Sequence, residues 1–194
     1  MPLSRKRYAV QLLMEKTDLD NVPVVDAHSG YLLRTYRDGD ETGLARVYAA
    51  CDLGKTTPKA VREGIIHEPC FTPYRLFVAE CAGDIVGTAA AWIEDDDPSA
   101  GYLHMVGLLP EHRGKGLGKA LVCAAIRHTR SEGFRVQRLK TDDFRTAAIC
   151  LYLSMGYYPL MSDPSHPARW EAIARGLNRP EISKKARPLP PQPA

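Results

Sequence analysis

The sequence predicts an α+β domain, a mixed sheet with helices on its faces. Two observations carry that prediction. Residues 75–109 hold three apolar runs separated by the tight Ala82–Asp84 connection and a short polar turn, the spacing of antiparallel strands. From residue 117 onward, helical periodicity alternates with short strands, the spacing of strand–helix–strand units. The 194 residues suffice for one domain with a core that needs no cross-links.

Taken in order, residues 8–13 alternate weakly and suggest an edge strand, and residues 18–30 read as a loop. YLLRTY at 31–36 is a strand. The turn Asp38-Gly39-Asp40 then opens a helix with apolar positions in LARVYAAC. Thr57 caps a second helix that has Pro58 in its first turn, where the missing N–H costs nothing. Residues 75–81 and 85–93 form a hairpin around Ala82, Gly83 and Asp84. EDDDPSA is a polar turn, and residues 101–109 are the next strand. Residues 117–129 form a strong helix, 136–140 a strand, 146–154 a helix, 157–161 a strand and 164–177 an amphipathic helix around Trp170. The strands on either side of the 117–129 helix are expected to be parallel neighbours.

Composition removes several function classes. The five cysteines are odd in number and never spaced CxxC, so neither a metal site nor a disulfide framework is indicated, and reduced thiols in a cytoplasm fit. No run of about 18 apolar residues offers a membrane span. The basic N-terminus is followed by too short an apolar stretch for a secretory signal. The net charge of +3 resides in residues 178–194, where Arg179, Lys184, Lys185 and Arg187 face only Glu181. That segment also holds five of the fifteen prolines and reads as a solvated, unpacked tail. Neither nucleic acid nor membrane is indicated as a partner.

Residues 110–121, PEHRGKGLGKAL, put three glycines and three cations ahead of a helix. A helix start carries unpaired N–H groups and a positive dipole end, and glycine lets backbone curl closely around an anion. A phosphate or pyrophosphate is the natural guest. The Walker A spacing fails, because Arg113 stands where its first glycine belongs and Ala120 replaces its hydroxyl. The GxGxxG spacing fails too, with Lys119 or Leu121 at its third glycine.

The match is R-x-x-G-x-G, formed by Arg113, Gly116 and Gly118. Here residues 31–177 resemble the GNAT superfamily of acetyl-CoA-dependent N-acetyltransferases. The resemblance implies α/β/α-like layers around a mixed, mostly antiparallel sheet with a splayed parallel pair and helices on both faces. It implies acetyl-CoA as cosubstrate and no metal. Backbone amides of Arg113, Gly114, Lys115, Gly116, Leu117, Gly118 and Lys119 would bind the pyrophosphate. Backbone groups of Met105, Val106, Gly107 and Leu108 would bind the pantetheine arm, and Gly107 suits a bulge or a close backbone approach.

AAICLYLSMGY at 147–157 resembles the family's A-x-x-x-Y-x-x-x-G-F segment, with Tyr157 in place of Phe. Tyr152 falls on the tyrosine that protonates the departing thiolate in many members. Arg145 stands where many members have a coenzyme-binding Asn, so it would reach a phosphate instead or face solvent. The spelling TDDFRTAAICLYLSMGYYP places the chain near mycothiol-synthase-like proteins, which have two such domains where this chain has length for one.

The implied reaction moves an acetyl group to a primary amine, on a small molecule or peptide, by direct attack in a ternary complex. Its general base is open between His104, two residues before Val106, and Glu94. Asp142 and Asp143 either steer a cationic amine or, as their position before a helix favours, cap that helix. The alternative reading is a non-catalytic acyl-CoA-binding sensor. A homodimer is common in the family. The expected organisation is an extension at 1–30, the acetyltransferase domain at 31–177 and the tail at 178–194.

Overall fold

The computed structural model describes residues 8–25, 28–95 and 97–189. They fall into two compact units, one within residues 19–135 and one of residues 8–18 with 136–189.

In the larger unit, strands β2 (Tyr31–Thr35), β3 (Leu76–Cys81), β4 (Asp84–Ile93) and β5 (Gly101–Leu108) pair antiparallel in chain order. The β3–β4 connection is the predicted hairpin. Ala82 (φ 50°) and Gly83 (φ 86°) both take left-handed backbone, the twist that a two-residue hairpin turn needs. Helix α1 (Glu41–Ala50) buries Leu44, Ala45, Val47 and Tyr48, a stripe at helical spacing. Helix α2 (Pro58–Val61) starts as expected, with the Thr57 hydroxyl accepting from the Ala60 N–H at 3.1 Å, but passes at once into a π-turn over Arg62–Ile66. Helix α3 (Leu117–Ser131) buries Leu117, Ala120, Leu121, Val122, Cys123, Ala125, Ile126 and Thr129.

Close contacts at glycines show which helix covers which face. A Cβ on Gly101 would strike Thr129 of α3, and one on Gly87 would strike Leu108 and Leu121. A Cβ on Gly107 would instead meet Val47, Cys51 and Leu53, on and just after α1. The helices therefore cover opposite faces of β4–β5.

In the smaller unit, β1 (Leu12–Lys16) lies between β6 (Gln137–Thr141) and β7 (Tyr158–Met161), antiparallel to both, and β8 (Arg187–Pro188) adds parallel to β7. Helices α4 (Thr146–Ser154), α5 (His166–Gly176) and the short α6 (Glu181–Lys184) complete it. The strands are thus mixed but mostly antiparallel, and the fold is α+β.

Two expectations give way here. The edge strand expected at residues 8–13 is β1, shifted toward the C-terminus and internal, with all five residues buried. Its sequence, LLMEK, does not alternate because both faces are covered, and the Glu15 charge is neutralised across the ladder. Arg138 donates to Glu15 at 2.9 Å from the facing strand, and the Tyr158 hydroxyl donates to the other Glu15 oxygen at 2.5 Å.

The second is the unpacked tail. Residues 181–188 form α6 and β8, and Ile182 is 1% exposed. One apolar residue in a polar, proline-rich segment is a weak signal until a surface exists for it to fill. Residues 190–194 lie outside the described residues. Replacing a buried isoleucine by alanine removes packed methyl groups and leaves a void. Ile182→Ala is expected to lower stability by about 2–4 kcal/mol in urea unfolding, whereas an unpacked tail would leave the midpoint unchanged.

Candidate functional site

β5 leads directly into the glycine turn, and its pairing with β4 is irregular. Thr88 faces Gly107 and Ala90 faces His104, so three steps along β5 match two along β4. The extra residue is a β-bulge at Met105–Val106, and Met105 takes φ 48°. Of the two roles that suit Gly107, a bulge or a close backbone approach, the second holds: the bulge occupies the two residues before it, and α1 and the residues after it approach Gly107 closely. The bulge also reverses the alternation of faces. Gly101 and Gly107, which an unbroken strand would put on one face, look toward α3 and α1 respectively.

His104 precedes the bulge and is opposite Ala90. It is half-buried, with its ring 5.6 Å from that of Trp92, whose own partner across the ladder is Tyr102. Those residues share the face that Gly107 takes after the bulge, the one covered by α1. Glu94 lies just beyond β4, ahead of a turn gathered on Asp97, which accepts from Ser99 and Tyr102 at 2.6 Å each.

After β5 the chain makes a 3₁₀ turn over Pro110–His112, and Gly114 (φ 78°) and Gly116 (φ 76°) follow in left-handed backbone. A Cβ on either glycine would meet nothing within 4 Å, so these two are required by conformation and leave open space above the turn. The α3 ladder opens with the Ala120 N–H on the Gly116 carbonyl at 3.0 Å. The N–H groups of Leu117, Gly118 and Lys119 precede that bond and have no intrahelical acceptor. Gly116, as N-cap, has no side chain to satisfy them. This cradle fits a diphosphate, with open space, orphan donors and the positive end of a four-turn helix in one place.

The surrounding cations are held locally. Arg113 Nε donates to the Leu108 carbonyl at 3.3 Å, tying the turn to the end of β5. Lys115 Nζ donates to the Glu111 carbonyl at 3.1 Å and lies 5.9 Å above the Tyr31 ring, while Lys119 is exposed. Sequence reasoning misses Tyr31 and His112, which brace the turn. The Tyr31 hydroxyl and His112 Nδ1 are 2.9 Å apart with their rings edge-on. Residues 81 positions apart give no local signal of such a contact.

In the smaller unit, Tyr152 sits on the last turn of α4 at 6% exposure, its ring edge-on to that of Tyr157. Among the described residues nothing is hydrogen-bonded to its hydroxyl, and burial raises its pKa above the usual tyrosine value. α4 ends in a Schellman closure. The Tyr157 N–H donates to the Tyr152 carbonyl at 3.0 Å and the Gly156 N–H to the Leu153 carbonyl at 3.2 Å, with Gly156 at φ 89°. This closure is the physical reason for the glycine four residues after the tyrosine.

Asp142 and Asp143 do not cap α4, whose N-cap position is Arg145 with no side-chain bond. Asp142 accepts from Arg145 Nε at 3.0 Å and from Gln11 at 3.3 Å. Asp143 is gripped by Arg169 at 2.5–3.2 Å, both nearly buried. Both carboxylates are thus taken by arginines, Asp142 by Arg145 three residues on and Asp143 by Arg169 of α5. Among the described residues there is no cluster of His, Cys, Asp or Glu that would hold a metal ion, and no helix long and apolar enough to cross a membrane.

Comparison with known proteins accords with this geometry. The model of the acetyltransferase (GNAT) family matches residues 44–157, more than half of the chain. A mycothiol acetyltransferase of Thermobispora bispora is 36% identical over 146 residues, 70% of this chain and 49% of that protein. Its counterpart in Thermomonospora curvata is 31% identical over 158 residues, 78% and 52% of the respective chains. The chain spans about half the length of these relatives. Among solved structures, a GCN5-related N-acetyltransferase from Sphaerobacter thermophilus superposes with a TM-score of 0.63 at 24% identity, over 76% of this chain and 47% of that one. An aminoglycoside N-acetyltransferase solved with CoA gives 0.54 at 20% identity, over 68% and 90%. The bulged strand, the left-handed glycine turn and the tyrosine-bearing helix are thus found in a chain that belongs to the acetyltransferase (GNAT) family.

Proposed function

We propose that this protein transfers an acetyl group from acetyl-CoA to a primary amine by direct attack within a ternary complex. The observation that carries the reading is the open cradle at Gly114–Gly116 and the start of α3, next to a bulged β5, within the span matched by the family model. Acetyl-CoA supplies an activated thioester. The amides of Arg113, Gly114, Lys115, Gly116, Leu117, Gly118 and Lys119 hold its pyrophosphate. Backbone groups of Met105, Val106, Gly107 and Leu108, part of which the bulge releases from β4, hold its pantetheine arm. Arg145, already engaged by Asp142, adds charge at the start of α4.

The chemistry needs a proton taken from the amine and a proton given to the leaving thiol. His104 takes the first, directly or through water; its reference pKa of about 6.5 suits a base near neutral pH. The Val106 N–H meets the negative charge that builds on the carbonyl oxygen. Tyr152 gives the second proton as the carbon–sulfur bond breaks, and its burial keeps the hydroxyl protonated and ready to donate. Orientation of the two reactants supplies much of the remaining acceleration. The curated relatives are named mycothiol acetyltransferases, which favours a small-molecule acceptor over a peptide.

Three outcomes test this reading. Gly116→Val forces a β-branched residue into left-handed backbone and fills the space above the turn. It is expected to weaken CoA binding by about tenfold or more in calorimetry, with unfolding followed in parallel; unchanged affinity removes the cradle. Tyr152→Phe is expected to lower kcat by about 10²-fold with CoA affinity kept, and equal turnover would end the acid role. Because burial raises the Tyr152 pKa, its alkaline loss of kcat belongs above about pH 10, and it should vanish in the variant. His104→Gln is expected to abolish the acidic limb of kcat/KM, which follows the base in the free enzyme; an unaltered limb would assign the base elsewhere.

A further inference from the structure

The acidic turn after β4 is unused by the reaction above, yet it is built around one buried carboxylate. Asp97 is 6% exposed, and its two oxygens accept separately, Oδ1 from the Ser99 hydroxyl and Oδ2 from the Tyr102 hydroxyl, each at 2.6 Å. The Asp97 N–H donates to the Glu94 carbonyl at 3.1 Å and closes the turn. Hydroxyl bonds to a carboxylate are short and stronger than neutral ones, so the far end of the Tyr102 ring is fixed.

From Tyr102 this order passes to His104. Tyr102 is 5% exposed and stands directly across the ladder from Trp92, itself 9% exposed. Side chains opposite each other on a strand pair touch, with about 5 Å between their Cβ atoms, and diagonal neighbours are within reach of aromatic rings. Trp92 has Tyr102 as its direct neighbour and His104 as its diagonal one. The Trp92 and His104 rings lie 5.6 Å apart at a tilt of 41°. His104 is the last residue of β5 before the bulge, and the residue directly opposite it is Ala90. A methyl group cannot define the direction of an imidazole, whereas the indole beside it can.

We propose that Trp92 is a positioning residue for acetyl transfer: it holds the His104 ring in the orientation that takes the amine's proton, with Tyr102 and Asp97 fixing Trp92 from behind. The proposal rests on the reading of His104 as the base and deepens it. A base must present one nitrogen within about 3 Å of the proton it removes. An imidazole free on a strand spreads over three χ1 wells and two ring orientations. A ring packed against indole keeps one of them, and the half-buried position of His104 leaves part of that ring accessible to a substrate.

The test pairs a spectroscopic readout with turnover, both on the full chain. The His104 ring protons are identified in NMR spectra by their loss in His104→Gln. Trp92→Leu is expected to shift and broaden them, and Trp92→Phe to keep them sharp. Turnover is read as CoA released from acetyl-CoA with ethanolamine as a minimal primary amine. Trp92→Leu is expected to lower kcat by about 5–10-fold, the share lost to idle ring orientations, with KM for acetyl-CoA unchanged and Trp92→Phe restoring most of the rate. In a His104→Gln background, Trp92→Leu should cost nothing further, since the two act as one unit. Where Trp92→Leu does not fold, Tyr102→Phe, which keeps the ring but frees it from Asp97, is expected to broaden the same signals and lower kcat about threefold. Unmoved His104 signals, wild-type kcat in a folded Trp92→Leu or in Tyr102→Phe, or an additional loss in the His104→Gln background would each overturn the proposal. A His104→Gln variant as active as wild type would remove the base and the proposal together, an outcome distinct from failure of the aromatic contact because the Trp92-dependent NMR shifts would persist.

Discussion

One extra residue in β5 is the constraint on which the larger unit depends. A regular strand sends residues 101, 103, 105 and 107 to one face. The bulge at Met105–Val106 instead gives one helix Gly101 and the other Gly107 as points of close approach, so both α3 and the end of α1 pack tightly on a single strand. Its cost falls on Met105, a non-glycine residue in left-handed backbone, about 1–2 kcal/mol. Strain of that size persists where surrounding packing over-determines it, and Met105 is only 7% exposed. A bulge also leaves backbone groups unpaired on the ladder, where a ligand's amides can use them.

The glycine turn follows from the same strand by a different logic. Its donors are main-chain groups that geometry orphans at every helix start, so what distinguishes this one is access. Two glycines in left-handed backbone keep the space clear, a capping side chain is absent, and the nearby cations are anchored to carbonyls at Leu108 and Glu111. Tyr31 and His112 brace the turn from β2, so little ordering is left for an anion to impose.

In the smaller unit, charge is used inside rather than at the rim. β1 is buried on both faces yet carries Glu15 and Lys16. Glu15 is tolerated because Arg138 and Tyr158 arrive from the strands on either side in register with it. Arg169 holds Asp143, stacks on Tyr8 at 4.0 Å and donates to the Val10 carbonyl at 2.8 Å, joining α5 to the chain before β1. Such pairs add little net stability over apolar packing, but breaking one partner away is expensive, so they specify which segments meet.

By itself the sequence determined the elements whose signals are local: the hairpin around Ala82–Asp84, the Thr57–Pro58 helix start, the amphipathic stripe of α1, the glycine turn before α3 and the tyrosine–glycine spacing of α4. Each rests on backbone conformation or periodicity within a few residues, which composition encodes directly. Tertiary structure alone decided the rest. It decided between the two roles open to Gly107, giving it the close approach and putting the bulge at Met105–Val106, because a glycine marks either and only the facing helix tells them apart. It turned an expected edge strand into the buried β1, because the neighbouring strands are remote in sequence, and Asp142 and Asp143 from caps into ion-pair partners, the first of Arg145 three residues on and the second of the remote Arg169. It packed Ile182, whose burial depends on where α6 meets α5 and β7 in space.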